Sequence, residues 1–312
     1  MELSRKDFEF LFSSMMDRAP NESEIDVLYP ATRGQASEAV SLLCVQPEFV
    51  MKHPAFTPKP MTETLKAASV NGIDLLVPTN DWVHWGTAQG WGYEKWVADA
   101  MRSILKPGSV FADVGANTGV LTMLGASLVG ETGQVYAIEA SIENAAVILA
   151  NTRHVGASNI VILPIAVTDK KGIELISVDF GGSNKFVVTE AIDSKKFKFE
   201  PIATDTLDSL LSHLPRLDLI KIDIEGREGS ALRGARDLIA RTRPCIIGEY
   251  HSNSPEAWYA DELVAQGYRM LELSREGGMV DLGMSLEALH TAATTQLQAH
   301  GTCLEVLFTP AA

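Results

Sequence analysis

Apolar positions change their period along the chain, and each change marks an architectural boundary. In "RKDFEFLFSSMMDRA" the positions Phe8, Leu11, Phe12, Met15 and Met16 fall at helical spacing, which predicts an amphipathic helix. "PNESEIDVLYPA" then offers Asn21 or Ser23 ahead of an acidic first turn, a capped helix start. "GQASEAVSLLCVQPEFV" returns to helical spacing through Ala39, Val40, Leu42, Leu43 and Val45. Residues 1–56 therefore predict a small helical bundle, too short to hold a large core of its own. In residues 57–100 the pattern breaks. "TPKPMTE" reads as a linker. "VNGIDLLVPTNDWVHWGTAQGWGYEKW" holds an Asn-Gly turn signal, short apolar runs and Trp82, Trp85 and Trp91. It predicts an aromatic lid segment over a ligand, or an aromatic cover for the main core.

From residue 101 short apolar runs alternate with amphipathic stretches. Strands are expected at 110–114, 135–139, 160–166, 217–224 and 245–250, and helices at 121–128, 142–155, 206–213 and 230–240. Strands this apolar, separated by helices, imply a parallel sheet covered on both faces. "YRMLELSRE" and "CLEVLFTP" predict two late strands that close the sheet as an antiparallel edge pair. Residues 279–298 read equally as a covering helix or a connection. The expected fold class is α/β, doubly wound, with residues 101–312 as the main domain.

Composition narrows the function. The chain has 312 residues, 46% apolar and 21% charged, with a formal net charge of −14. So acidic a surface disfavours nucleic acid and anionic membranes as partners. The N-terminus lacks the order of a signal peptide, and no apolar run reaches the ~20 residues of a membrane span. A cytoplasmic protein is expected. Cys44, Cys245 and Cys303 show no metal-ligand spacing, so the sequence predicts no metal site.

The chemistry begins at "SVFADVGANTGVLTM", residues 109–123. A strand ends in Asp113, and Gly115 and Gly119 frame the turn into a helix. In an open parallel sheet, ligands bind beyond the carboxyl ends of the strands. A dinucleotide site would want GxGxxG. Here the middle glycine is missing, and Asp113 would repel a pyrophosphate. Glu139 follows 26 residues later at the end of the next strand, near the offset where an acid binds a ribose diol. A ligand with a ribose, a positive end and no diphosphate fits, and S-adenosylmethionine is such a ligand.

With "DVGANTG", "VYAIEASIENAAVILAN", "IAVTDKKG", "IATDTLDSLL", "LDLIKIDIEGREGSALRGA" and "RPCIIGEYH" in this order, the chain resembles the FkbM family of S-adenosylmethionine-dependent methyltransferases. The N-terminal stretch resembles small helical modules of the phycobilisome-linker type. The first resemblance implies a class I, Rossmann-like methyltransferase fold with a seven-stranded sheet whose last strand is antiparallel. It also implies O-methylation of a small molecule such as a sugar or natural-product intermediate. N-methylation of a peptide or amine, or a non-catalytic binding module that scaffolds a partner, are the alternatives. The N-terminal helices would serve a homodimer or dock a carrier protein.

The same resemblance distributes roles. Asp113, Gly115, Asn117 and Gly119 would cradle the methionine end of the cofactor. Glu139 would hold the ribose, with Ala140 and Ser141 on that edge. Ala166 and Val167 would line the adenine, with Thr168 near its amino group. Tyr93 and Glu94, in "GYEKW", would contact cofactor or acceptor. Asp223 ends the fourth strand, where the methyl group is delivered. Asp223, Glu225 two residues on, and His251 are the catalytic candidates. Each could accept or shield the acceptor's proton. Asp223 and Glu225 are also a set of oxygen ligands for a divalent cation, and Lys221 would pair with one of them. Glu249 ends the fifth strand beside His251, and Glu228 opens the helix after the fourth. Asp81 and His84 lie in the tryptophan-rich segment. "FGGSNKF" offers Ser183 and Asn184 as polar contacts.

Overall fold

The computed structural model describes residues 4–16, 18–32, 39, 43, 64–79, 82–90, 92–177, 187–188, 199–300 and 302–311. Asp81, Trp91, Ser183, Asn184, Cys44 and the expected linker at 57–63 lie outside the described residues.

The apolar runs after residue 101 form strands because they are buried on both faces. In chain order the strands are β1 (Lys66–Val70), β2 (Ile73–Val77), β3 (Val110–Val114), β4 (Gln134–Ile138), β5 (Ile160–Leu163), β6 (Ala166–Val167) and β7 (Gly172–Ser177). They continue as β8 (Val187–Val188), β9 (Phe199–Asp205), β10 (Leu219–Ile222), β11 (Cys245–Tyr250), β12 (Tyr268–Leu273), β13 (Met279–Gly283) and β14 (Leu304–Pro310). The main sheet has the order β13-β12-β14-β11-β10-β3-β4-β5. The pairs β11/β10, β10/β3, β3/β4 and β4/β5 are parallel. β14 runs antiparallel to both β11 and β12. Seven of these strands match the expected sheet. The eighth, β13, pairs antiparallel with β12 and takes the edge, so the late pair β12/β14 lies inside the sheet rather than at its rim. The order reverses between β3 and β10, which sets the ligand-binding crevice at their carboxyl ends.

Alternate residues feed two cores. Ala112, Ile220 and Ile246 pack on one face with Leu232, Leu238 and Ile239. Phe111, Leu219 and Ile247 pack on the other with Val97, Met101, Leu121 and Leu124. Helices thus cover both faces.

The helices come out shorter than the pattern suggests in two places. The stretch 206–213 is helical only over Leu207–Leu210. The stretch 230–240 splits into Glu228–Arg233 and Arg236–Thr242. Gly234 sits at the break, where a Cβ would lie 2.3 Å from the Thr168 carbonyl oxygen. The expected strand 160–166 also divides. β5 ends at Leu163, and β6 joins a separate four-stranded sheet of order β6-β9-β7-β8.

Within the expected lid segment, the first described part is a hairpin, while Thr87, Gly92, Tyr93 and Glu94 further along line a cavity. β1 and β2 form an antiparallel hairpin turned by Asn71 (φ 52°) and Gly72 (φ 84°), as Asn-Gly turns do. Val70, Leu75 and Val77 pack with Val120, Met123 and Ile148. This part is framework, held by its apolar face.

At the N-terminus, helices Arg5–Met16 and Glu22–Ala31 bury Phe8, Phe12, Met16 and Leu28 in a cluster of their own. Asn21 caps the second helix in a capping box with Glu24. Among the described residues, no helix is long and apolar enough to cross a membrane.

Candidate active site

A cavity of about 890 Å³ lies along the carboxyl ends of the strands. Its wall takes Glu139 and Ala140 after β4, Gly115 and Asn117 after β3, and Asp223 and Glu225 after β10. It continues with Glu249 and His251 at β11, then Cys303 and Glu305 at β14. Strands lie about 4.8 Å apart, so the wall from β4 to β14 runs roughly 19 Å across the switch point.

The turn after β3 is built by close contact. Gly115 (φ 76°) passes so near β10 that a Cβ there would lie 1.8 Å from the Asp223 carbonyl oxygen. Asn117 is left-handed (φ 51°), a conformation asparagine tolerates. Glu139 braces the turn. One carboxylate oxygen accepts the Asn117 backbone N–H at 2.8 Å, and the other accepts the Ser141 N–H at 2.7 Å. The Glu139 carboxylate also lines the cavity, where a ligand's hydroxyls would meet it.

Three expected cofactor residues stand behind the wall and do not line the cavity. Asp113 is fully buried. It accepts a 2.6 Å hydrogen bond from the Thr122 hydroxyl, while its Oδ1 has no hydrogen-bond partner among the described residues. Burial raises its pKa, and Lys221 opposes that rise. Gly119 allows close packing against Ile148 of the helix Ile142–Val155. Ser141 caps that helix by accepting the Asn144 N–H. His84 is likewise buried behind the turn, with Nε2 3.1 Å from the Thr118 hydroxyl. Ala166, Val167 and Thr168 do line the cavity.

Beyond the cradle the wall is rich in carboxyl groups. Glu94, left-handed at φ 40°, is pushed up to about 8 by burial and by Asp223, Glu249 and Glu305, with Lys221 opposing. Glu225, left-handed at φ 58°, is pushed up to about 7 by desolvation and by Asp223 and Glu249, although its side chain remains exposed at the mouth. Asp223 pairs with the Lys221 ammonium at 2.9 Å. Burial still raises the Asp223 pKa. Lys221 is held protonated well above its usual range because Asp223, Glu94 and Asp113 outweigh its burial. Glu228 accepts the Ile224 and Gly226 backbone N–H groups, so it shapes the loop and does not line the cavity.

The far end holds residues the sequence did not single out. Arg275 stacks 4.5 Å over Trp96 and pairs with Glu305 at 3.1 Å. Cys303 donates its thiol to Glu249 at 3.1 Å. His251 Nε2 lies 3.3 Å from the other oxygen of Glu249. That hydrogen bond raises the His251 pKa. For Glu249 burial acts upward, and the bonds to His251 and Cys303 outweigh it. Sheet order, not local spacing, brings these groups together.

The FkbM methyltransferase domain model matches residues 113–278, more than half of the chain. The chain belongs to the FkbM methyltransferase family. Its cofactor is S-adenosylmethionine, and the strand order is that of a Rossmann-like class I methyltransferase. Among solved structures, the FkbM methyltransferase of Methylobacillus flagellatus is similar, with 15% identity and a TM-score of 0.43. That match covers 95% of this chain and 57% of that one, so the FkbM chain described here spans little more than half of its neighbour's length. An S-adenosylmethionine-dependent methyltransferase of Aquifex aeolicus shares 15% identity at TM-score 0.33, covering 69% of this chain and 87% of that one. A precorrin-6y C5,15-methyltransferase of Geobacter metallireducens shares 12% identity at TM-score 0.39, covering 69% and 86%. No residue correspondence rests on likenesses this loose. No curated protein matches the chain.

The residues present fit the cofactor. A cationic ligand suits an anionic wall, and Glu139 presents its carboxylate to the cavity beside the turn after β3. The cavity of about 890 Å³ lies near the top of the usual range for small-molecule sites, roughly 300–1,000 Å³.

Proposed function

We propose that this FkbM methyltransferase transfers the methyl group of S-adenosylmethionine to a hydroxyl oxygen of a small molecule, such as a sugar or natural-product intermediate. One observation carries the reading: Glu94, pushed up to about 8, shares a single cavity with the cradle of Gly115, Asn117 and Glu139.

The bound cofactor supplies an electrophilic methyl group. The chain's own residues do the rest. Asn117 and Glu139 hold the β3–β4 end of the cavity, and Ala166, Val167 and Thr168 form an adenine wall beside it. The acceptor then occupies the β10–β14 end. Its hydroxyl must shed a proton as the oxygen–carbon bond forms. Asp223 is tied to Lys221 and orients the acceptor. Glu94 and Glu225 take the proton, since a base with pKa near the working pH does this best. Alignment across the switch point contributes the remaining acceleration.

The carboxyl-rich wall also favours a second reading, methylation of an amine, whose positive charge it would hold. A single experiment separates the two. The protein is incubated with trideuteromethyl-labelled cofactor and a panel of sugars, phenols and amines, and products are read by mass spectrometry and NMR. An O–CD3 product that Glu94→Gln reduces at least tenfold supports the proposal. Labelled N-methyl products alone would replace it with the amine reading.

A further inference from the structure

We propose that Glu249, His251 and Cys303 form a binding site for a zinc-type divalent cation, opening into the cavity on its acceptor side. Among the described residues, these are the His, Cys and carboxyl groups that converge, with one donor atom from each lying within 4.8 Å of the others.

The sheet makes this meeting unavoidable. β11 and β14 pair antiparallel, with Tyr250 opposite Leu304. His251 and Cys303 are the next residues outward on the two strands, so they face each other. Glu249 precedes His251 by two positions and points to the same side. All three side chains are half-buried and line the cavity. The Tyr259 hydroxyl fixes the strand end by donating to the Glu249 carbonyl at 2.8 Å.

The donor set selects the metal class. One thiolate, one imidazole and one carboxylate suit a borderline-soft ion such as zinc, not magnesium or calcium. Tetrahedral zinc with bonds of 2.0–2.3 Å places its donors roughly 3.4–3.7 Å apart. Cys303 Sγ already lies 3.1 Å from Glu249 Oε1, and His251 Nε2 lies 3.3 Å from Glu249 Oε2. The three donors lie within 4.8 Å of one another, so a cation would draw them together by up to about 1 Å. It would replace the thiol proton that Cys303 donates to Glu249 and the Nε2 proton through which His251 meets the other carboxylate oxygen. The thiol proton would leave to solvent, and the imidazole proton would leave or pass to Nδ1. Thiolate and carboxylate together balance a charge of two. Three protein ligands with a position open to a cavity is the arrangement of catalytic zinc sites. A hydroxyl bound at that position loses its proton more readily. This last role rests on the proposed O-methylation; binding of the metal itself does not.

The test therefore uses the full chain with neither cofactor nor acceptor. The chain is stripped with chelator and titrated with cobalt(II) as a spectroscopic probe. One equivalent should bind, with a near-ultraviolet thiolate-to-cobalt band that zinc displaces. Cys303→Ser should abolish the band, and His251→Ala should weaken binding at least tenfold. Circular dichroism checks that each variant is folded. If one variant fails to fold, the other carries the comparison. Wild-type protein that binds no cobalt, or gives no thiolate band, overturns the site. So does a folded Cys303→Ser that binds as the wild type does.

Discussion

The Gly115 Cα lies so close to Asp223 that a side-chain carbon there would stand 1.8 Å from the Asp223 carbonyl oxygen. The cradle of one strand and the acceptor-side carboxylate of the next are thus spaced by a missing side chain. Gly115→Ala must push β3 and β10 apart and strain a positive φ. Overpacking of this kind costs typically 1–3 kcal/mol. The expected result is a lower melting temperature and cofactor affinity reduced at least tenfold, about 1.4 kcal/mol, read by calorimetry.

Glu139 acts on a part of the cofactor that survives the reaction. Glu139→Ala removes the acceptor of two backbone N–H groups and the proposed ribose contact. Affinity should fall at least tenfold for S-adenosylmethionine and by a similar factor for S-adenosylhomocysteine. A loss confined to one ligand would place Glu139 at the methyl end instead.

Glu94 gives a pH dependence with a defined sign. Its folded pKa of about 8 stands above the ordinary 4.5, so the folded chain holds the proton more tightly than the unfolded chain. The resulting stabilisation is full below about 4.5 and is lost as pH rises to about 8. The melting temperature of the free protein should drop over that window, and less so in Glu94→Gln. Ionised Glu94 is the form that attracts a cationic ligand. S-adenosylmethionine should therefore bind more tightly as pH approaches 8, and Glu94→Gln should flatten that rise. The charged groups acting on Glu94 are Lys221, Asp223, Glu249 and Glu305, so a matching profile in Glu305→Gln tests their share.

Lys221 is the counter-charge beneath the cavity, buried and bonded to Asp223. Lys221→Met strands Asp223 and Asp113 in the interior. Removing one partner of a buried pair costs roughly 3–5 kcal/mol. Urea denaturation should show a loss of that size, and Asp223→Asn in the same background should recover part of it.

Removing residues 1–56 should leave cofactor affinity within twofold. Phe8, Phe12 and Leu28 pack among themselves, and among the described residues the cavity takes none from this stretch. Calorimetry on the shortened chain checks this. A partner captured only by the full chain would assign the helices to docking.

Much of this was legible because the signals are local. Val110–Val114 and Cys245–Tyr250 are short apolar runs between polar turns, and they became strands with those boundaries. Asn21 capped its helix, and Asn71-Gly72 turned its hairpin. What escaped is set by distance. Cys303 meets Glu249 across 54 positions, and no spacing rule reaches that far. Gly234 breaks a helix because the Thr168 carbonyl presses on it, a contact that exists only after folding. Asp113 was readable as important, but its place behind the wall depends on Thr122 and Lys221.

The cavity wall draws on three separate lengths of chain. Gly115 to His251 fall inside the stretch matched by the family model, whereas Glu94 precedes it and Arg275 stands at its last few residues. Cys303 and Glu305 come after it altogether. On the proposed reading, the donor end lies wholly within the common framework, and the acceptor end joins Asp223, Glu225, Glu249 and His251 of that framework to Glu94, Cys303 and Glu305 from the flanks. An exchange of flanks between relatives would therefore alter only part of the acceptor surface and leave the donor pocket as it is.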